Sequence, residues 1–373
     1  MSRVRVALVG SGLVGQAEHA FFISTNRNLF EFAALVDASA TVRDGVGTRY
    51  GIPVRVASVD ELDAGTLDAI VCATPDVYHS EVVLWALEHD LHVMCEKPLA
   101  FTLRECDELI AARDAAGTTV QVGYMKRHDP AYLRMLELLP VDASEIKCIS
   151  IEVNDPNSIP FTAHLPMVKG SDISAELRAD SRQRAVDQVA EATGLADVPV
   201  VASIAFQNAF LSSLVHDISM LHGILEHIGH RVPARLLDAS IFAGGDGGAA
   251  GWQLDGGGRA TAFHLTLEGV NDYTERLTVY CTDRILELTF PAPYLRNMPT
   301  RLIERRSAGA IGLTETRHHV SYEEAFENEL RSFHRAITEG GPVIVPLEAA
   351  RADVQGLLEA HAYATARLEA MAS

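Results

Sequence analysis

The sequence predicts an α/β protein in which a doubly wound parallel sheet is followed by a second domain built on antiparallel strands. The chain has 373 residues, which is longer than a single hydrophobic core usually supports, so two domains are expected. Short apolar runs alternate with helical patterns over the first third of the chain, and this alternation stops after about Met125. We therefore predict a first domain over residues 1–125 and a second over 126–373.

The first domain contains apolar, β-branched runs that are typical of buried strands. Amphipathic stretches at 77–89 and 103–116 lie between some of them and have the spacing of helices. Apolar strands that alternate with helices indicate a parallel sheet covered on both faces, and right-handed crossovers make its topology doubly wound. The predicted strands are 4–9, 32–36, 54–57, 69–73, 92–95 and 119–123.

The second domain shows alternation along its strands instead. Phe263, Leu265 and Leu267 face the same way, a period of two that is typical of an antiparallel sheet with one covered face. Thr282-Asp283 has the composition of a hairpin turn between two strands. The predicted strands are 145–154, 261–267, 275–281 and 284–290, and the predicted closing helices are 322–337 and 347–370.

Two segments of the second domain do not fit this pattern. Residues 244–258 are glycine-rich, but no Lys-Ser/Thr pair follows and no helix begins there. We expect a mobile connection between strands rather than a phosphate-binding loop. Residues 160–199 hold a charged helical pattern between prolines. We expect this segment to be an excursion inserted into the second domain, either a lid or a subunit contact.

The composition excludes several classes of partner. The formal net charge of −19 disfavours nucleic acid and anionic membrane surfaces, because a phosphate footprint needs a basic face. No apolar run reaches the roughly 20 residues that span a bilayer. The five cysteines include no CxxC pair and indicate free thiols in a cytoplasmic protein. Without an HExxH motif or a cysteine cluster we expect no metal.

A glycine turn near the N-terminus has the features of a dinucleotide-binding loop. It follows a strand, opens a helix and consists of Gly10, Ser11, Gly12, Leu13, Val14 and Gly15. The first glycine permits the tight turn, the second lets backbone amides approach a pyrophosphate, and the third lets the helix pack on the strand. The helix N-terminus then supplies unpaired N–H groups to the phosphates.

Asp37 ends the second predicted strand, about 20 residues after the glycine turn. A carboxylate at this place can accept both ribose hydroxyls of NAD and would repel a 2′-phosphate. The next two residues are Ala38 and Ser39, and Arg43 lies a helical turn further on. The sequence therefore favours NAD over NADP as the cofactor.

Polar residues follow the fourth and fifth strands at their carboxyl ends, where ligands bind in open parallel sheets. We expect Thr74-Pro75 to pass beneath the cofactor, with His79 at the start of the next helix. Glu96-Lys97 ends the fifth strand. All of these residues are candidates for the cofactor site.

Lys97 is the candidate for acid/base chemistry. A dehydrogenase that oxidises an alcohol must remove the hydroxyl proton, and a lysine can do so if burial and a positive nicotinamide lower its pKa. Pro98 fixes the backbone after the lysine and makes a cis Lys97–Pro98 bond possible, which would aim the side chain. The alternative is a surface lysine that simply follows a strand.

Several motifs together resemble the glucose–fructose oxidoreductase, inositol dehydrogenase and rhizopine catabolism family, usually written Gfo/Idh/MocA. They are GSGLVG at 10–15, ATPDVYH at 73–79, EKPLA at 96–100, QVGYMKRHDPAY at 121–132 and the closing helices at 326–355. The resemblance implies a Rossmann domain followed by an α/β domain with an open, mostly antiparallel sheet. It also implies hydride transfer between nicotinamide and a ring hydroxyl or ketone of a sugar, cyclitol or glycoside.

The same resemblance assigns roles to individual residues. It implies that Lys97 touches both substrate and nicotinamide, and that Arg127 lies near cofactor and substrate. Tyr124 lies in the same segment after the sixth strand and is a candidate for substrate contact. Asp155 and Asn157 follow the first strand of the second domain and are further candidates, although Asx-Pro turns commonly have the same composition.

A predicted helix in the second domain carries the other catalytic candidate. At about 100° per residue, Ser212, His216, Ser219 and Gly223 form a stripe of small or polar groups beside an apolar arc. Such a stripe suits a helix that offers an imidazole to a bound ligand. The alternative is a satisfied histidine at a domain seam. The resemblance implies that His216 assists Lys97 as acid/base.

The helix departs from the pattern of inositol-dehydrogenase-like members at two positions. They carry an aspartate where this chain has Ser212, and often another where it has Ser219. A serine can accept a hydrogen bond from a substrate but cannot hold an imidazolium electrostatically. Asp217 points about 100° away from His216, and His222 falls in the apolar arc, where we expect a structural role.

Two alternatives to a freely exchanging dehydrogenase remain. The first is a non-catalytic NAD-binding regulatory protein, which is motivated by the serine at position 212 where a carboxylate is missing and is opposed by the intact Glu96-Lys97-Pro98 motif. The second is an enzyme that recycles tightly bound NAD within one cycle on a glycoside. We also expect a homo-oligomer, a dimer or tetramer built through the uncovered face of the antiparallel sheet.

Overall fold

The computed structural model describes residues 3–194 and 200–372. The chain divides into two compact units. The first unit comprises 1–125, 164–192 and 326–351, and the second comprises 126–163, 193–325 and 352–373. The first boundary coincides with the end of the predicted first domain. The segment 164–192, expected to be an excursion of the second domain, groups with the first unit instead.

The sheet of the first unit has six parallel strands in the order β3-β2-β1-β4-β5-β6. This doubly wound arrangement confirms the predicted fold class. The interior strands are buried along nearly their whole length, as expected of a sheet covered on both faces. The strands are β1 Val4–Val9, β2 Phe30–Val36, β3 Val54–Val56, β4 Ala69–Cys72, β5 His92–Glu96 and β6 Val120–Gly123.

The second sheet has eight strands in the order β14-β13-β12-β11-β7-β10-β9-β8. Only the β7–β10 pair is parallel among the described pairs, so the sheet is mostly antiparallel, as predicted. The strands are β7 Ile146–Asn154, β8 Arg235–Ile241, β9 Gly247–Gln253, β10 Arg259–Leu265, β11 Thr274–Cys281, β12 Arg284–Phe290, β13 Arg301–Ser307 and β14 Leu313–His318.

The helices bear out most of the predicted helical segments. They are α1 Ala20–Thr25, α2 Ala40–Tyr50, α3 His79–Glu88, α4 Leu103–Ala116, α5 Pro130–Glu137, α6 Ile159–Thr162, α7 Ala175–Thr193, α8 Val200–Ile204, α9 Val215–His227, α10 Ala325–Glu339 and α11 Leu347–Ala372. Local capping explains α4, since Thr102 and Glu105 form a reciprocal capping box and Gly117 ends the helix at φ +67°. No described helix is both long and apolar enough to cross a membrane.

The glycine-rich segment 244–258 is a correction. It contains β9, which pairs with β8 and β10, so the prediction of a mobile connection was wrong. Its glycines are required by close approach of these strands. A Cβ added at Gly247 would lie 2.2 Å from the carbonyl oxygen of His264, and one added at Gly248 would lie 2.7 Å from that of Ser240. Glycine marks tight packing of strands here rather than mobility.

The apolar alternation in β10 has the predicted period, but its orientation is unexpected. Phe263 is 42% exposed, whereas Ala260, Ala262 and His264 are buried. The covered face is therefore lined by small residues and a histidine, and the large apolar side chain lies on the open face. The excursion predicted at 160–199 contains α7, and its residues 195–199 lie outside the described part of the chain.

Candidate active site

The glycine turn after β1 has the backbone geometry of a phosphate-binding loop. Gly10 has φ +90°, and a Cβ added there would lie 2.4 Å from the carbonyl oxygen of Ala73. A Cβ added at Gly15 would lie 2.5 Å from the carbonyl oxygen of Gly10, so this glycine permits close packing. No described atom lies within 4 Å of a Cβ built on Gly12, which leaves open space above the turn. Leu13 and Val14 are half-buried where the helix begins.

Asp37 stands directly beside this turn. One carboxylate oxygen accepts the N–H of Ser11 at 2.8 Å, and the other accepts the N–H of Ser39 at 2.9 Å. Burial raises the pKa of the Asp37 carboxyl, and these two hydrogen bonds offset part of that shift. Arg43 donates to the carbonyl oxygen of Asp37 rather than to its carboxylate. The open space at Gly12 and the placed carboxylate fit a dinucleotide with its pyrophosphate over the turn and its adenine ribose at Asp37.

His79 links the loops that follow β4 and β5. Its side chain is 1% exposed. Nδ1 lies 2.7 Å from the carbonyl oxygen of Pro98, and Nε2 lies 3.1 Å from that of Thr74. The imidazole therefore braces the Thr74-Pro75 loop and the Lys97-Pro98 loop together. The direct cofactor contact predicted for His79, Thr74 and Pro75 stays a prediction.

The Glu96-Lys97-Pro98 segment is held from below by a second histidine. The Lys97–Pro98 peptide bond is cis, as the sequence suggested. Glu96 is buried, and its carboxylate lies 2.7 Å from Nε2 of His19 and accepts the N–H of Lys97 at 3.3 Å. The Lys97 side chain is half-buried at the carboxyl end of β5. Sequence reasoning missed His19, whose only local signal was its place just after the glycine turn.

A buried acid on α10 completes this part of the first unit. Glu329 is 0% exposed. Burial and the neighbouring Glu96 raise the pKa of the Glu329 carboxyl well above its usual value. Gln121 on β6 donates to the backbone carbonyl of Glu329 at 3.0 Å, which ties α10 to the sheet. Sequence reasoning missed Glu329, although it lies three residues after Phe326 and four before Phe333 on the buried face of the helix.

Three potential metal ligands also lie close together at the carboxyl ends of β4 and β5. Among the described residues, one ligand atom each of Cys72, His79 and Cys95 lies within 4.8 Å of the others. Both ring nitrogens of His79 already contact backbone carbonyl oxygens. The arrangement therefore suits packing and loop bracing rather than metal coordination.

Tyr124 and Arg127, predicted to touch substrate, are both deeply buried. Tyr124 is 1% exposed. Arg127 belongs to the second unit, where its guanidinium donates to the carbonyl oxygen of Ser219 at 3.0 Å and to Glu226 at 2.7 Å. These contacts give Arg127 a structural role, and the ligand contacts predicted for both residues stay predictions.

The stripe of small groups on the predicted helix is only partly as expected. A Cβ at Gly223 would lie 2.4 Å from Nε of Arg127 and from the hydroxyl of Tyr132. Gly223 therefore makes room for Arg127, and the backbone carbonyl of Ser219 accepts a hydrogen bond from it. The prediction that this stripe faces a ligand stays a prediction. As predicted, His222 is structural, because it is buried with Nδ1 2.7 Å from Asp353.

The start of this helix differs from the predicted geometry. Residues Ala205–Leu214 are π-helical, and α9 follows from Val215. A π-helix bonds each residue to the fifth along, so the 100° spacing that placed Ser212 above His216 does not apply there. Ser212 is exposed and His216 is half-buried. It is Ser213 that donates to the carboxylate of Asp155, at 3.0 Å, and sequence reasoning missed it.

Asn157 matches the simpler alternative for its segment. Its side-chain oxygen accepts the N–H of Ile159 at 2.9 Å, and the side chain is exposed. This is the local hydrogen bond expected of an Asx turn. Asp155 remains the stronger candidate for a polar contact in the second unit.

A buried polar cluster in the second unit was not anticipated. Glu275 is 0% exposed, forms an ion pair with Lys126 at 2.5 Å and accepts the hydroxyl of Tyr273. Burial and Glu275 raise the pKa of Tyr273. Asp217, also buried, lies 3.7 Å from Nδ1 of His264. These groups come from β10, β11, α9 and the segment before α5, so no local motif could have gathered them.

The comparison with known families now has a structural context. Residues 4–124 match the family model described as "Oxidoreductase family, NAD-binding Rossmann fold", named GFO_IDH_MocA. This match covers about a third of the chain and makes residues 4–124 similar to the Gfo/Idh/MocA family. The predicted resemblance is confirmed.

The curated relatives match less than half of the chain. Inositol 2-dehydrogenase 3 of Saccharopolyspora erythraea is 31% identical over 165 residues, which is 44% of this chain and 48% of the relative. Inositol 2-dehydrogenase 1 of Paenarthrobacter aurescens is 36% identical over 131 residues, 35% of this chain and 39% of the relative. The matches thus span less than half the length of each of these Gfo/Idh/MocA relatives.

A solved structure matches over almost the whole chain. It is the UDP-N-acetylglucosamine 3-dehydrogenase from Acidithiobacillus ferrooxidans, with a TM-score of 0.72 and 19% identity, and the match covers 99% of this chain and 100% of that one. At this identity the similarity establishes the fold alone.

Proposed function

We propose that the protein is an NAD-dependent oxidoreductase that transfers hydride between nicotinamide and a ring hydroxyl or ketone of a sugar, cyclitol or glycoside. The observation that carries this proposal is the set of groups at the carboxyl ends of the parallel strands. The glycine turn, Asp37 and Lys97 all follow strands of one sheet. The matched relatives are named inositol 2-dehydrogenases, which supports a cyclitol or related substrate.

The residues of the first unit have distinct tasks in this proposal. Backbone N–H groups of the glycine turn bind the pyrophosphate, and Asp37 accepts the ribose hydroxyls. When bound, the nicotinamide accepts or supplies the hydride. Lys97 takes up the proton of the substrate hydroxyl during oxidation and returns it during reduction. Glu96, held by His19 and bonded to the N–H of Lys97, fixes the backbone from which the lysine projects.

The family resemblance implies further roles, in substrate contact and proton transfer, for three other residues. His216 assists Lys97 as a second acid/base, as the family resemblance implies. Ser212 and Asp155 contact substrate hydroxyls, with Asp155 oriented by Ser213. A serine in place of the family's aspartate cannot hold an imidazolium electrostatically, so we expect Lys97 to carry most of the proton transfer.

The experiment that tests this function is a substrate panel. Sugars, cyclitols and glycosides are offered with NAD⁺, and the absorbance of reduced nicotinamide is recorded for wild type and Lys97→Ala. We expect turnover of at least one panel member and a loss in kcat of about 10²- to 10⁴-fold in the variant. NADH binding without turnover on any member would instead favour a regulatory protein. Unchanged turnover in Lys97→Ala would remove the assigned acid/base.

A second candidate is an enzyme that retains NAD and reoxidises it within one cycle on a glycoside. It is favoured by the segment 164–192, which packs on the first unit next to the glycine turn: Gln16 donates both to the carbonyl oxygen of Ser11 at 2.7 Å and to that of Val168 at 3.0 Å. Detection of free NADH during turnover would exclude this version. The predicted homo-oligomer and cytoplasmic location stay predictions.

A further inference from the structure

The beginning of the segment 164–192 forms a strap along the cofactor side of the first unit. Gln16, in the helix that follows the glycine turn, exchanges two hydrogen bonds with the backbone of Val168, at 2.9 and 3.0 Å. The side chain of Val168 also packs on α2, since a Cβ added at Gly45 would lie 2.8 Å from it. The strap is therefore held both at the glycine turn and at α2.

Four residues beyond Val168, the carboxylate of Asp172 lies at the N-terminus of α2. One oxygen accepts the hydroxyl of Ser39 at 2.5 Å, and the other accepts the N–H of Thr41 at 3.0 Å. Ser39 is the N-cap of this 11-residue helix, and its hydroxyl also accepts the N–H of Val42. These hydrogen bonds lower the pKa of Asp172 to about 2, so the group is an anion at neutral pH.

Asp172 and Asp37 bracket the same short loop. Ser39 donates its N–H to Asp37 and its hydroxyl to Asp172. A ribose bound by Asp37 would present its 2′ position to this loop. A 2′-phosphate there would seek the donors that best bind anions, namely the helix N-terminal N–H groups and the Ser39 hydroxyl. In this chain the carboxylate of Asp172 already accepts hydrogen bonds from those donors.

We propose that Asp172 is a specificity-determining residue, which occupies the donors that a 2′-phosphate needs and so excludes NADP in favour of NAD. The inference rests on the proposed function only in requiring a dinucleotide at Asp37. It differs from the role of Asp37 itself, since Asp172 comes from a distant strap and engages the helix N-terminus rather than the ribose.

The test compares the dissociation constants of NADH and NADPH by fluorescence titration, which needs no substrate. Removing one negative charge within a few ångströms of the phosphate should strengthen NADPH binding about tenfold or more in Asp172→Asn. NADH affinity should change by less than about threefold, because the ribose site at Asp37 is intact. Asp172→Lys should favour NADPH further, and Asp172→Glu should restore the wild-type preference.

The matched control is Glu191→Gln, which removes a carboxylate from the same segment where it pairs with Arg104 on the surface. We expect it to leave the NADPH-to-NADH ratio unchanged. The gain in NADPH affinity of Asp172→Asn over wild type should also shrink as the salt concentration is raised, because the effect is electrostatic. A structural role for the strap would instead alter the binding of both dinucleotides alike in every Asp172 variant.

The outcomes separate this inference from the proposed function. If the wild type binds neither dinucleotide, both fail. If it binds NADH but the ratio in Asp172→Asn and Asp172→Lys equals that of wild type, only the role of Asp172 is overturned. A wild type that binds NADPH as tightly as NADH overturns it as well.

Discussion

Two regions at the carboxyl ends of the parallel strands are built from different kinds of side chain. The loop after β2 places two carboxylates, Asp37 and Asp172, around Ser39, and Asp172 is exposed to solvent. The loops after β4 and β5 are braced by His79 and His19, which are 1% and 0% exposed. Charge at an accessible loop can discriminate between ligands, whereas buried, hydrogen-bonded histidines can fix the position of a reacting group.

The two regions should respond differently to substitution. Changes around Ser39 should alter which dinucleotide binds, and changes beneath Lys97 should alter how fast bound substrate reacts. The glycine turn lies next to both regions and should affect binding as a whole. The following predictions are designed to break that separation.

The largest effect is expected from the glycines of the turn. In Gly12→Ala the new methyl group enters open space where the pyrophosphate is expected, so NADH affinity should fall at least about tenfold while the melting temperature is unchanged. In Gly10→Ala the methyl group meets the carbonyl oxygen of Ala73 at φ +90°, so stability should fall as well, by on the order of 1–3 kcal/mol.

The control for this pair is Gly269→Ala in the second unit, where no described atom lies within 4 Å of the added Cβ. It should alter neither NADH affinity nor stability. Titration of NADH fluorescence and thermal unfolding measure the two effects separately. Normal NADH affinity in Gly12→Ala would place the pyrophosphate elsewhere.

The next effect concerns the support beneath Lys97. His19→Ala leaves the buried carboxylate of Glu96 without its imidazole partner, so the backbone of Lys97 should be less well fixed. We expect kcat to fall about tenfold or more, with the NADH dissociation constant within about threefold of wild type. His19→Gln, which keeps an N–H donor, should restore part of kcat.

A merely structural role of His19 would give a different pattern. In that case His19→Ala would be less stable than wild type, but its kcat per folded molecule would be unchanged. His19→Gln would then have the same kcat as His19→Ala. Measuring kcat on the folded fraction, with NADH binding in the same samples, distinguishes the two.

The smallest effect on cofactor binding and turnover is expected at Glu329, the buried acid of α10 that neighbours Glu96. Its pKa is raised by burial in the folded state, so the folded protein binds this proton more tightly than the unfolded chain does. Its contribution to stability is therefore complete below the unfolded pKa of about 4.5 and is lost as pH rises through the folded value. Glu329→Gln cannot ionise, so its stability relative to wild type should increase with pH, by on the order of 1–3 kcal/mol.

Urea unfolding at a series of pH values measures this difference. Glu339→Gln, at an exposed position of the same helix, is the control and should follow wild type. If the free energy of unfolding of Glu329→Gln matches that of wild type at every pH, the pKa of Glu329 is not raised in the folded protein.

The elements that sequence predicted best are those with local signals. Helix α4 was predicted to the residue from its amphipathic spacing, and the capping residues Thr102, Glu105 and Gly117 hold its ends in the structure. The strands β13 and β14 were missed, since residues such as Arg305 and Glu315 give them a polar composition. Strand β14 is largely exposed and the Arg305–Glu315 ion pair links it to β13, whereas β13 itself also buries Leu302 and Ile303. Strand β9 was missed because its glycines resemble a loop.

The residues of the candidate site also divide into those with a local sequence signal and those without one. The glycine turn, Asp37 and Lys97 follow strands in recognisable motifs, so sequence could place them at one edge of the sheet. The contacts of Asp172 with Ser39 and of His19 with Glu96 join residues far apart in the chain. No local period or spacing encodes such contacts, and only the folded chain reveals them.

The measurement that tests the account most directly is a crystal structure of the protein with NADH bound. We expect the pyrophosphate over the glycine turn, the adenine ribose hydroxyls on Asp37, and the nicotinamide beside the ammonium group of Lys97. A dinucleotide bound away from the carboxyl ends of these strands, or a Lys97 side chain turned into solvent far from the nicotinamide, would contradict it.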